Sequence, residues 1–307
     1  VDALGPDVSH LVIGQPVLLN WAIPCGHCMP CQQLHGHLCD RTQGLSKESP
    51  SAASPHTEWQ QQAIRRSFNL GTFSEYALVR SEALTPIPAH LPMHEACILG
   101  CGVMTGVGSV INSANVQAGE TVVVLGCGGV GLSVIQGARI AGAKSIIALD
   151  KRIESLERAR RMGATHTWRI EDNDVKFEAA VAHVRSLTDG RGADYTFEAT
   201  GQHSLAFAPL KFIRHGGVAL QLSGAHGEVS AAMLDFWWDK RYLTPLYGGC
   251  HPPRDFPKLM RWIDEGQLDV ASMITRHYSL SKLQEAMDDM LSGSNIKGVI
   301  VFDKDRT

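Results

Sequence analysis

The segment that most constrains the fold is GCGGVG at residues 126–131, a G-x-G-x-x-G motif with secondary-structure signals on both sides. The apolar run TVVVLG (121–126) leads into it and predicts a buried strand, and VGLSVIQGARIAGA leaves it and predicts a helix. A second apolar run, SIIALD, ends in Asp150, nineteen residues after Gly131. A glycine-rich turn between strand and helix, followed by an acid at the end of the next strand, is typical of a dinucleotide site.

Each glycine of this motif has a separate task. The first allows a tight turn, the second lets the backbone approach a pyrophosphate, and the third lets helix and strand pack closely. The start of the helix then presents free N–H groups and a partial positive charge to the phosphates. The alternative is a structural glycine-rich turn. The cofactor-binding residues predicted in this turn are Gly126, Gly128, Gly129, Val130 and Gly131.

Asp150 predicts which dinucleotide binds. Its carboxylate would accept hydrogen bonds from the adenosine ribose hydroxyls and repel a 2′-phosphate, which favours NAD over NADP. The basic side chains of Lys151 and Arg152 follow directly and weaken that preference slightly. Lys151 is therefore included among the candidate cofactor-binding residues.

The middle of the chain alternates strands and helices. Further strands are predicted at 194–199 (DYTFEA) and 217–223 (GVALQLS). A helix after Asp150 is predicted to end at Met162 with Gly163 as its C-cap. A second helix is predicted in VKFEAAVAHVRSL, because apolar residues at helical spacing form one side of it. These residues are Val175, Phe177, Ala180, Val181, Val184 and Leu187. The pattern predicts an α/β, doubly wound parallel sheet of the Rossmann type.

Four of the eight cysteines fall within fifteen residues, with the spacing C-x2-C-x2-C-x7-C. Four thiolates on tight turns form a closed tetrahedral shell, which is typical of a structural zinc. An iron–sulfur cluster is the alternative, but its usual last spacer is three residues followed by Pro. The predicted ligands are Cys25, Cys28, Cys31 and Cys39. We interpret His27, His35 and His37 as solvated loop residues.

Composition excludes several classes of protein. The 307-residue chain is 44% hydrophobic and 19% charged, which is globular composition. Its formal net charge of −3 offers no basic field for nucleic acid or an anionic membrane. The apolar runs are too short to span a bilayer, and no signal peptide is visible. A cytoplasmic protein is expected, although the absence of an initiator Met indicates that Val1 is not the natural start.

The two ends of the chain have a different pattern from the middle. Alternating residues at 1–24 predict short strands of a barrel-like region, and 73–88 predicts two strands ending in a Pro-rich turn. Residues 43–68 predict an exposed loop. The tail, 253–302, has two helical patterns and a last strand, KGVIVF.

Four motifs together carry a resemblance that runs along essentially the whole chain: the four-cysteine lobe, ACILGCGVMTGVG (96–108), VVVLGCGGVGLSVIQGARIAGA and NIKGVIVF. The sequence resembles the zinc-dependent alcohol dehydrogenases of the medium-chain dehydrogenase/reductase superfamily, and most of all their class III branch. The resemblance implies a Rossmann domain at 102–246 inserted in a partial GroES-like β-barrel domain formed by 1–101 and 247–307. It also implies a homodimer, with GGVALQLSG and RYLTPLYGG as candidate edge segments.

The resemblance also assigns roles to single residues. Cys101 matches one of three protein ligands of a catalytic zinc, and Thr105 matches a threonine beside the nicotinamide. Ser223 and Gly224 match backbone contacts to the nicotinamide ring and its carboxamide. Lys297 matches a position where related enzymes often have an arginine for the pyrophosphate, and a lysine keeps the charge without the bidentate fork.

One part of the family pattern has no match. Family members begin some tens of residues earlier, and that segment supplies a zinc Cys, a Ser or Thr proton relay and a Gly-His-Glu element with the His ligand. The only His-Glu pair here, His94-Glu95, lies in a predicted helix and is interpreted as helix surface. We therefore expect an incomplete catalytic zinc site and little or no dehydrogenase activity from this chain alone.

Three functions follow as hypotheses. The first is a zinc- and NAD-dependent oxidoreductase of alcohols or aldehydes, in which an open zinc site lowers the pKa of the alcohol oxygen and NAD takes the hydride. The second is a non-catalytic NAD-binding protein with one structural zinc. The third is a docking finger on a nucleotide-binding domain, which the few basic residues of the lobe disfavour.

Overall fold

The computed structural model describes residues 1–40, 58–64, 66, 70–224 and 227–302. The chain divides into two compact units, Gly102–Gly249 and a second unit formed by Val1–Cys101 with Cys250–Thr307. Most of the loop predicted at 43–68 lies outside the described residues.

A six-stranded parallel sheet forms the centre of the unit Gly102–Gly249. Its strand order is β10-β9-β8-β5-β6-β7, and every neighbouring pair is parallel. The strands are β5 (Thr121–Leu125), β6 (Ser145–Asp150), β7 (His166–Arg169), β8 (Ala193–Glu198), β9 (Ile213–Gln221) and β10 (Arg241–Leu243). The order confirms the predicted doubly wound fold.

Helix α3 (Gly102–Gly108) continues into a π-helix at Ser109–Ala114 and precedes β5. Helices α4 (Gly129–Ile140), α5 (Ile153–Met162) and α6 (Glu178–Ser186) connect β5 to β6, β6 to β7 and β7 to β8. Strands β5 and β6 are almost wholly buried because they lie in the middle of the sheet. Helix α5 ends as predicted, with Gly163 in the left-handed conformation at φ 117°.

Glycines allow α3 and α4 to lie very close together. A Cβ on Gly106 would lie 2.4 Å from the Ser133 Cβ and 2.6 Å from the Val130 carbonyl oxygen. A Cβ on Gly137 of α4 would lie 3.1 Å from the Val107 Cα. The TGVG sequence therefore matters for packing, because any side chain at Gly106 forces the two helices apart.

Two predictions for this unit are wrong in detail. Helix α6 begins only at Glu178, because Phe177 adopts a left-handed conformation at φ 62°. Val175 lies outside the helix and is 78% exposed, although Phe177 is buried. The predicted edge segment GGVALQLSG forms β9, which lies between β8 and β10 and is not an edge. The edge strand at this side is β10, from the RYLTPLYGG segment.

The second unit contains short pairs of strands. They are β1 (Val17–Leu19) with β4 (Leu84–Pro86), β2 (Glu58–Trp59) with β3 (Gln62–Ala63), and β11 (Ile274–Tyr278) with β12 (Lys297–Ile300). Its helices are α1 (Met29–Gln32), α2 (Met93–Ala96), α7 (Pro252–Asp264) and α8 (Leu283–Ser292). The prediction of two strands at 73–88 is wrong, since only Leu84–Pro86 is a strand there.

Among the described residues, no single helix has the length and apolar composition needed to cross a membrane. One pair, Met93–Gly100 with Gly102–Ala114, passes that test only when taken together, and it is bent by 57°.

Candidate functional site

The glycine-rich turn lies between β5 and α4, where the sequence places it. Gly126 has φ 91°, and a Cβ there would lie 2.9 Å from the Ala199 carbonyl oxygen and from the Thr200 Cα. A Cβ on Gly131 would lie 1.9 Å from the Gly126 carbonyl oxygen. Glycine is therefore required at both positions by the fold itself, since the neighbouring atoms are backbone.

Gly128 differs from its two partners in the motif. It is exposed, its φ is −78°, and nothing lies within 4 Å of a Cβ built on it. Folding therefore does not require glycine here, and the open space in front of the turn is a cradle that a Cβ would partly fill. Gly128 is also the N-cap of α4 and no side chain caps the helix, so its first N–H groups have no side-chain acceptor.

Asp150 ends β6 beside this turn. Its Oδ2 accepts a hydrogen bond from the Cys127 N–H at 2.7 Å, and its Oδ1 accepts one from the Arg152 N–H at 2.9 Å. Each carboxylate oxygen can accept a further bond. The Lys151 side chain instead forms an exposed ion pair, with its Nζ 2.9 Å from the Asp172 Oδ1.

Three features therefore lie together at the carboxyl edge of one parallel sheet. They are the glycine cradle, the start of α4 without a side-chain cap, and the carboxylate of Asp150 at the end of β6. This donor and acceptor set fits a dinucleotide, because the helix N-terminus suits phosphates and the acid suits ribose hydroxyls. Cys127 is buried with the pKa of its thiol raised well above the ordinary value, by desolvation first and by Asp150 second. That thiol is a spacer and offers no reactive thiolate.

The ends of β8 and β9 lie at the same edge of the sheet. Ser223 is half-buried and Gly224 is exposed just beyond β9, and Thr200 lies just beyond β8. Glu198, the last residue of β8, is fully buried and accepts a hydrogen bond from the Ser223 hydroxyl at 2.6 Å. Our sequence analysis missed Glu198, although an acid inside the apolar strand TFEA was a signal that could have found it.

The remaining predicted residues lie on separate elements. Thr105 is half-buried in α3. Lys297 begins β12 in the other unit. Burial lowers the pKa of its ammonium group, and the thiols of Cys101 and Cys97 act in the opposite direction. Its predicted contact with a pyrophosphate stays a prediction.

The four predicted zinc ligands converge. The Sγ atoms of Cys25, Cys28, Cys31 and Cys39 all lie within 4.8 Å of one another. Backbone N–H groups also point at the sulfurs, from Cys25 to the Cys39 Sγ at 3.3 Å and from Cys28 to the Cys25 Sγ at 3.4 Å. This donor set fits a tetrahedral metal with soft thiolate ligands, for which zinc is the first choice.

The thiols of this cluster differ in their proton affinity. Hydrogen bonds from the backbone of His27 and Cys28 lower the pKa of Cys25 to about 6. Desolvation raises the pKa of Cys31 to about 12. A bound cation stabilises all four thiolates against protonation.

The histidines of the lobe are not equivalent. His27 and His35 are exposed, as predicted. His37 is half-buried, and burial is the main cause of its lowered pKa, with His35 the second cause. The interpretation of His37 as a solvated residue is therefore wrong, because its ring contacts the backbone of Cys250.

Cys101 lies at the wall of a cavity of 970 Å³ within the second unit. The cavity is lined mainly by apolar groups, including Trp21, Phe73, Tyr76, Leu78 and Cys97. Loss of solvent around the Cys101 sulfur raises its pKa, while Lys297 and a hydrogen bond from Trp21 lower it. Among the described residues, no group of three metal-ligating side chains includes Cys101.

His94 and Glu95 lie on the short helix α2. The His94 side chain is half exposed, and its ring packs edge-on against His277 with the ring centres 5.5 Å apart. This placement agrees with a helix surface and brings His94 into no metal-ligating group of the described residues.

Two protein families match the chain. The family described as "Zinc-binding dehydrogenase" matches residues 129–265, and the family described as "Alcohol dehydrogenase GroES-like domain" matches residues 1–89. The first match runs from α4 through the rest of the parallel sheet and continues through α7, and the second covers the front of the other unit. Both agree with the predicted Rossmann and GroES-like folds.

Individual proteins align along nearly the whole chain. "Alcohol dehydrogenase B" from Mycobacterium tuberculosis is 32% identical over 99% of this chain and 82% of its own length. "Alcohol dehydrogenase class-3" from Cereibacter sphaeroides is 30% identical over 97% of this chain and 81% of its own length. The solved structure of benzyl alcohol dehydrogenase from Acinetobacter calcoaceticus is 26% identical, covers 98% of this chain and 81% of that one, and has a TM-score of 0.87.

Proposed function

We infer the function from one premise: the chain belongs to the zinc-dependent alcohol dehydrogenase family. It is thus an oxidoreductase by membership, since relatives of at least 30% identity along nearly its full length are alcohol dehydrogenases. We propose that it uses NAD to oxidise alcohols, or NADH to reduce aldehydes. The observation that carries this proposal is the glycine cradle with Asp150 at the carboxyl edge of the sheet.

The chain's own residues would hold NAD as follows. The Gly126–Gly131 turn and the first N–H groups of α4 take the pyrophosphate, and Asp150 takes the adenosine ribose. Thr105, Ser223, Gly224 and Lys297 keep their proposed roles at the nicotinamide and the pyrophosphate. When bound, NAD supplies the acceptor for a hydride, and the protein orients the cofactor and keeps water away.

The choice of NAD over NADP rests on Asp150. A carboxylate beside the ribose repels a 2′-phosphate, and Lys151, the basic residue that follows Asp150 in the sequence, is paired with Asp172. Binding measured by calorimetry should be stronger for NAD than for NADP. Equal affinity for the two would remove Asp150 from this role.

We propose one zinc for each chain, held by the four cysteines of the lobe. Cys101 is proposed as a ligand of a catalytic zinc, although it belongs to no group of three metal-ligating side chains among the described residues. The alternative of a non-catalytic NAD-binding protein with one structural zinc predicts the same metal content, and any NADH formation that depends on added alcohol would exclude that alternative.

The substrate class follows from the family and from the cavity beside Cys101. Its mainly apolar lining and volume of 970 Å³ suit the carbon skeleton of an alcohol or aldehyde. One relative is named for a glutathione adduct, "S-(hydroxymethyl)glutathione dehydrogenase" from Saccharomyces cerevisiae. We propose simple alcohols and aldehydes as the first class to examine, with a glutathione adduct of formaldehyde as the second.

The test combines metal content, cofactor binding and turnover on the same sample. We expect about one zinc per chain by elemental analysis, NAD binding by calorimetry, and NADH formation from alcohols that is weak or absent. Two zincs per chain with rapid turnover would show that this chain completes a catalytic metal site. Failure to bind NAD would overturn the proposed function.

We also propose a homodimer joined through the edge strand β10. Large apolar side chains around this edge are exposed, including Trp237, Trp238, Leu243 and Leu246. An edge strand presents unpaired backbone groups to a second copy. Light scattering should give twice the mass of the chain, and Leu243→Glu should reduce it to the monomer mass.

The free thiols of all eight cysteines suit a reducing compartment such as the cytoplasm, which is our proposed location.

A further inference from the structure

Glu198 is a buried carboxylate that none of the roles above uses. It is 0% exposed at the end of β8, in the middle of the parallel sheet. Its Oε1 accepts hydrogen bonds from the Thr200 N–H at 2.7 Å and the Thr200 hydroxyl at 2.5 Å, and its Oε2 accepts one from the Ser223 hydroxyl at 2.6 Å. Among the described ion pairs, none involves Glu198. A buried carboxylate held only by neutral donors is costly, so a purely packing role would be better filled by an apolar side chain.

These hydrogen bonds connect the segments that follow two neighbouring strands, β8 and β9. The Ser223 hydroxyl also accepts from the Gly201 N–H at 3.0 Å, and the Thr200 hydroxyl accepts from the Gln202 N–H at 3.1 Å. The Gln221 side chain donates to the Ser223 carbonyl. The segment 199–202 after β8 and the segment 222–224 after β9 are thereby fixed to each other through Glu198 and Ser223.

The same segment also touches the glycine-rich turn. The Ala199 N–H donates to the Leu125 carbonyl at 2.8 Å, and the Ala199 and Thr200 backbone lies where a Cβ of Gly126 would be. The network around Glu198 therefore borders the turn on the side away from Asp150, because β8 and β9 lie on one side of β5 and β6 lies on the other. A dinucleotide held with its adenosine at β6 and its pyrophosphate at β5 has its second nucleotide on the side of β8 and β9.

We propose that Glu198 is a positioning residue for the nicotinamide half of the cofactor. It acts through Thr200 and Ser223, whose backbone it fixes, and it does not itself touch the reacting atoms. This inference rests on the proposed use of NAD. It predicts that disturbing Glu198 weakens binding of the whole dinucleotide and leaves binding of the adenosine half unchanged.

The central variant is Glu198→Gln. The amide keeps the shape of the side chain but removes its charge. Its NH2 group cannot accept the hydrogen bond that the Ser223 hydroxyl donates, so the charge-assisted link to the segment after β9 is lost. We expect NAD and NADH to bind about tenfold more weakly, because charge-assisted hydrogen bonds are among the strong ones. ADP, which lacks the nicotinamide half, should bind within about twofold of the original affinity.

Thr196→Val is the matched control. Thr196 lies two residues earlier on β8, on the same face of the strand, is 0% exposed, and its hydroxyl has no hydrogen-bond partner among the described residues. The substitution therefore disturbs the same strand while leaving the network intact. We expect NAD and ADP affinities both to stay unchanged in this variant.

Calorimetry with NAD, NADH and ADP decides the matter. If Glu198→Gln binds NAD as well as the original chain does, Glu198 has no positioning role. If Glu198→Gln loses affinity for both NAD and ADP and its melting temperature falls, the Ser223→Ala variant distinguishes a positioning role from a general loss of stability. At this half-buried position it removes only the hydrogen bonds that the Ser223 hydroxyl makes with Glu198 and with the Gly201 N–H. Selective loss of NAD in Ser223→Ala supports the role, and unchanged NAD binding overturns it. If the unsubstituted chain binds neither NAD nor ADP, the proposed function itself fails, and this role fails with it.

Discussion

The three glycines of the G-x-G-x-x-G motif face different surroundings, and substitution can separate their tasks. At Gly131 a Cβ meets the Gly126 carbonyl oxygen at 1.9 Å, so Gly131→Ala must push strand and helix apart. At Gly128 a Cβ meets nothing, so Gly128→Ala fits the fold and intrudes only on the cradle. We expect Gly131→Ala to lower the stability by roughly 1–3 kcal/mol, and Gly128→Ala to leave it within about 0.5 kcal/mol.

Although Gly128→Ala should leave the stability almost unchanged, we expect it to weaken NAD binding. Its Cβ occupies space needed for close approach of a pyrophosphate, so NAD affinity should fall about tenfold or more while the melting temperature stays the same. Thermal unfolding and calorimetry on both variants measure the two effects. A Gly128→Ala variant that binds NAD normally would show that the cradle is not the pyrophosphate site.

Asp289 gives a pH-dependent contribution to stability. A hydrogen bond from the Tyr278 hydroxyl at 2.6 Å, and secondly the Arg276 guanidinium at 2.6 Å, hold the pKa of this carboxyl below its usual value. A lowered folded-state pKa stabilises the protein above the unfolded pKa of about 3.9, and the stabilisation is lost as the pH falls through the folded pKa. Asp289→Asn should therefore lower the melting temperature at pH 7, with a smaller difference below about pH 4.

The neighbouring carboxylate provides the control for that prediction. Among the described residues, exposed Asp288 accepts a side-chain hydrogen bond only from Gln284, one helical turn earlier, at 3.0 Å. Asp288→Asn should leave the melting temperature almost unchanged at both pH values. A difference between Asp289→Asn and the original chain that stays constant with pH would mean that the effect does not come from the charge.

At the scale of elements, we expect the four-cysteine lobe to depend on its proposed metal for order. Helix α1 (Met29–Gln32) has four residues, none of them buried, and the turn Gly36–Leu38 has only three. Such short elements cannot hold their shape through apolar packing. Removing the metal with a chelator should therefore open residues 25–39 to proteases, while the unit Gly102–Gly249 stays resistant.

Cys28→Ser should reproduce the effect of the chelator, and Cys97→Ser should not. Cys97 lies outside the cluster, next to α2, and its thiol, with its pKa raised by desolvation to about 11, donates a hydrogen bond to the His94 carbonyl at 3.2 Å. Limited proteolysis with mass spectrometry identifies the cut sites, and a colorimetric chelator counts the released zinc. Equal protease resistance with and without metal would show that the lobe folds unaided.

The elements that the sequence predicts well are those whose burial is complete. Strands β5 and β6 appear at TVVVL and SIIALD, as expected, because central parallel strands are apolar on both faces. The start of α6 was misplaced because apolar spacing continues through Phe177, and periodicity carries no information on the positive φ that stops the helix there. The residues 73–80 alternate like a strand, yet a strand also needs a partner at the right register, which spacing does not encode.

In the candidate site, too, features set by neighbouring residues could be predicted, and contacts between distant residues could not. Local motifs predicted the glycine turn, Asp150 and the four cysteines, since each motif is defined by residues close in sequence. Glu198 and Ser223 are 25 residues apart and meet only because β8 and β9 pair in register. Sequence spacing alone could not show that contact.

At the scale of the whole molecule, the strand order is what sequence reasoning determined least. GGVALQLSG was expected at an edge, but β10 returns parallel beside it and covers it. The exposed edges of the described sheet are β10 and β7. Which strand becomes an edge depends on where each crossover places the next strand, and the runs of apolar residues look alike in either case.

The unit Gly102–Gly249 has what it needs to fold without the rest of the chain. Its sheet is complete within it, and its two ends meet, since the Asn112 side chain donates to the Gly248 carbonyl at 3.2 Å and Gly248 lies against Gly108. Ends that lie close together and a separate core are typical of an independent domain. Expressed alone, residues 102–249 should unfold cooperatively and bind ADP and NAD, because the glycine turn, Asp150 and the Glu198 network all lie within them. Circular dichroism and calorimetry measure both, with the same fragment carrying Gly128→Ala as the control for binding. A fragment that unfolds cooperatively yet binds neither ligand would mean that the cofactor site needs residues from the other unit, and a fragment without cooperative unfolding would contradict its independence.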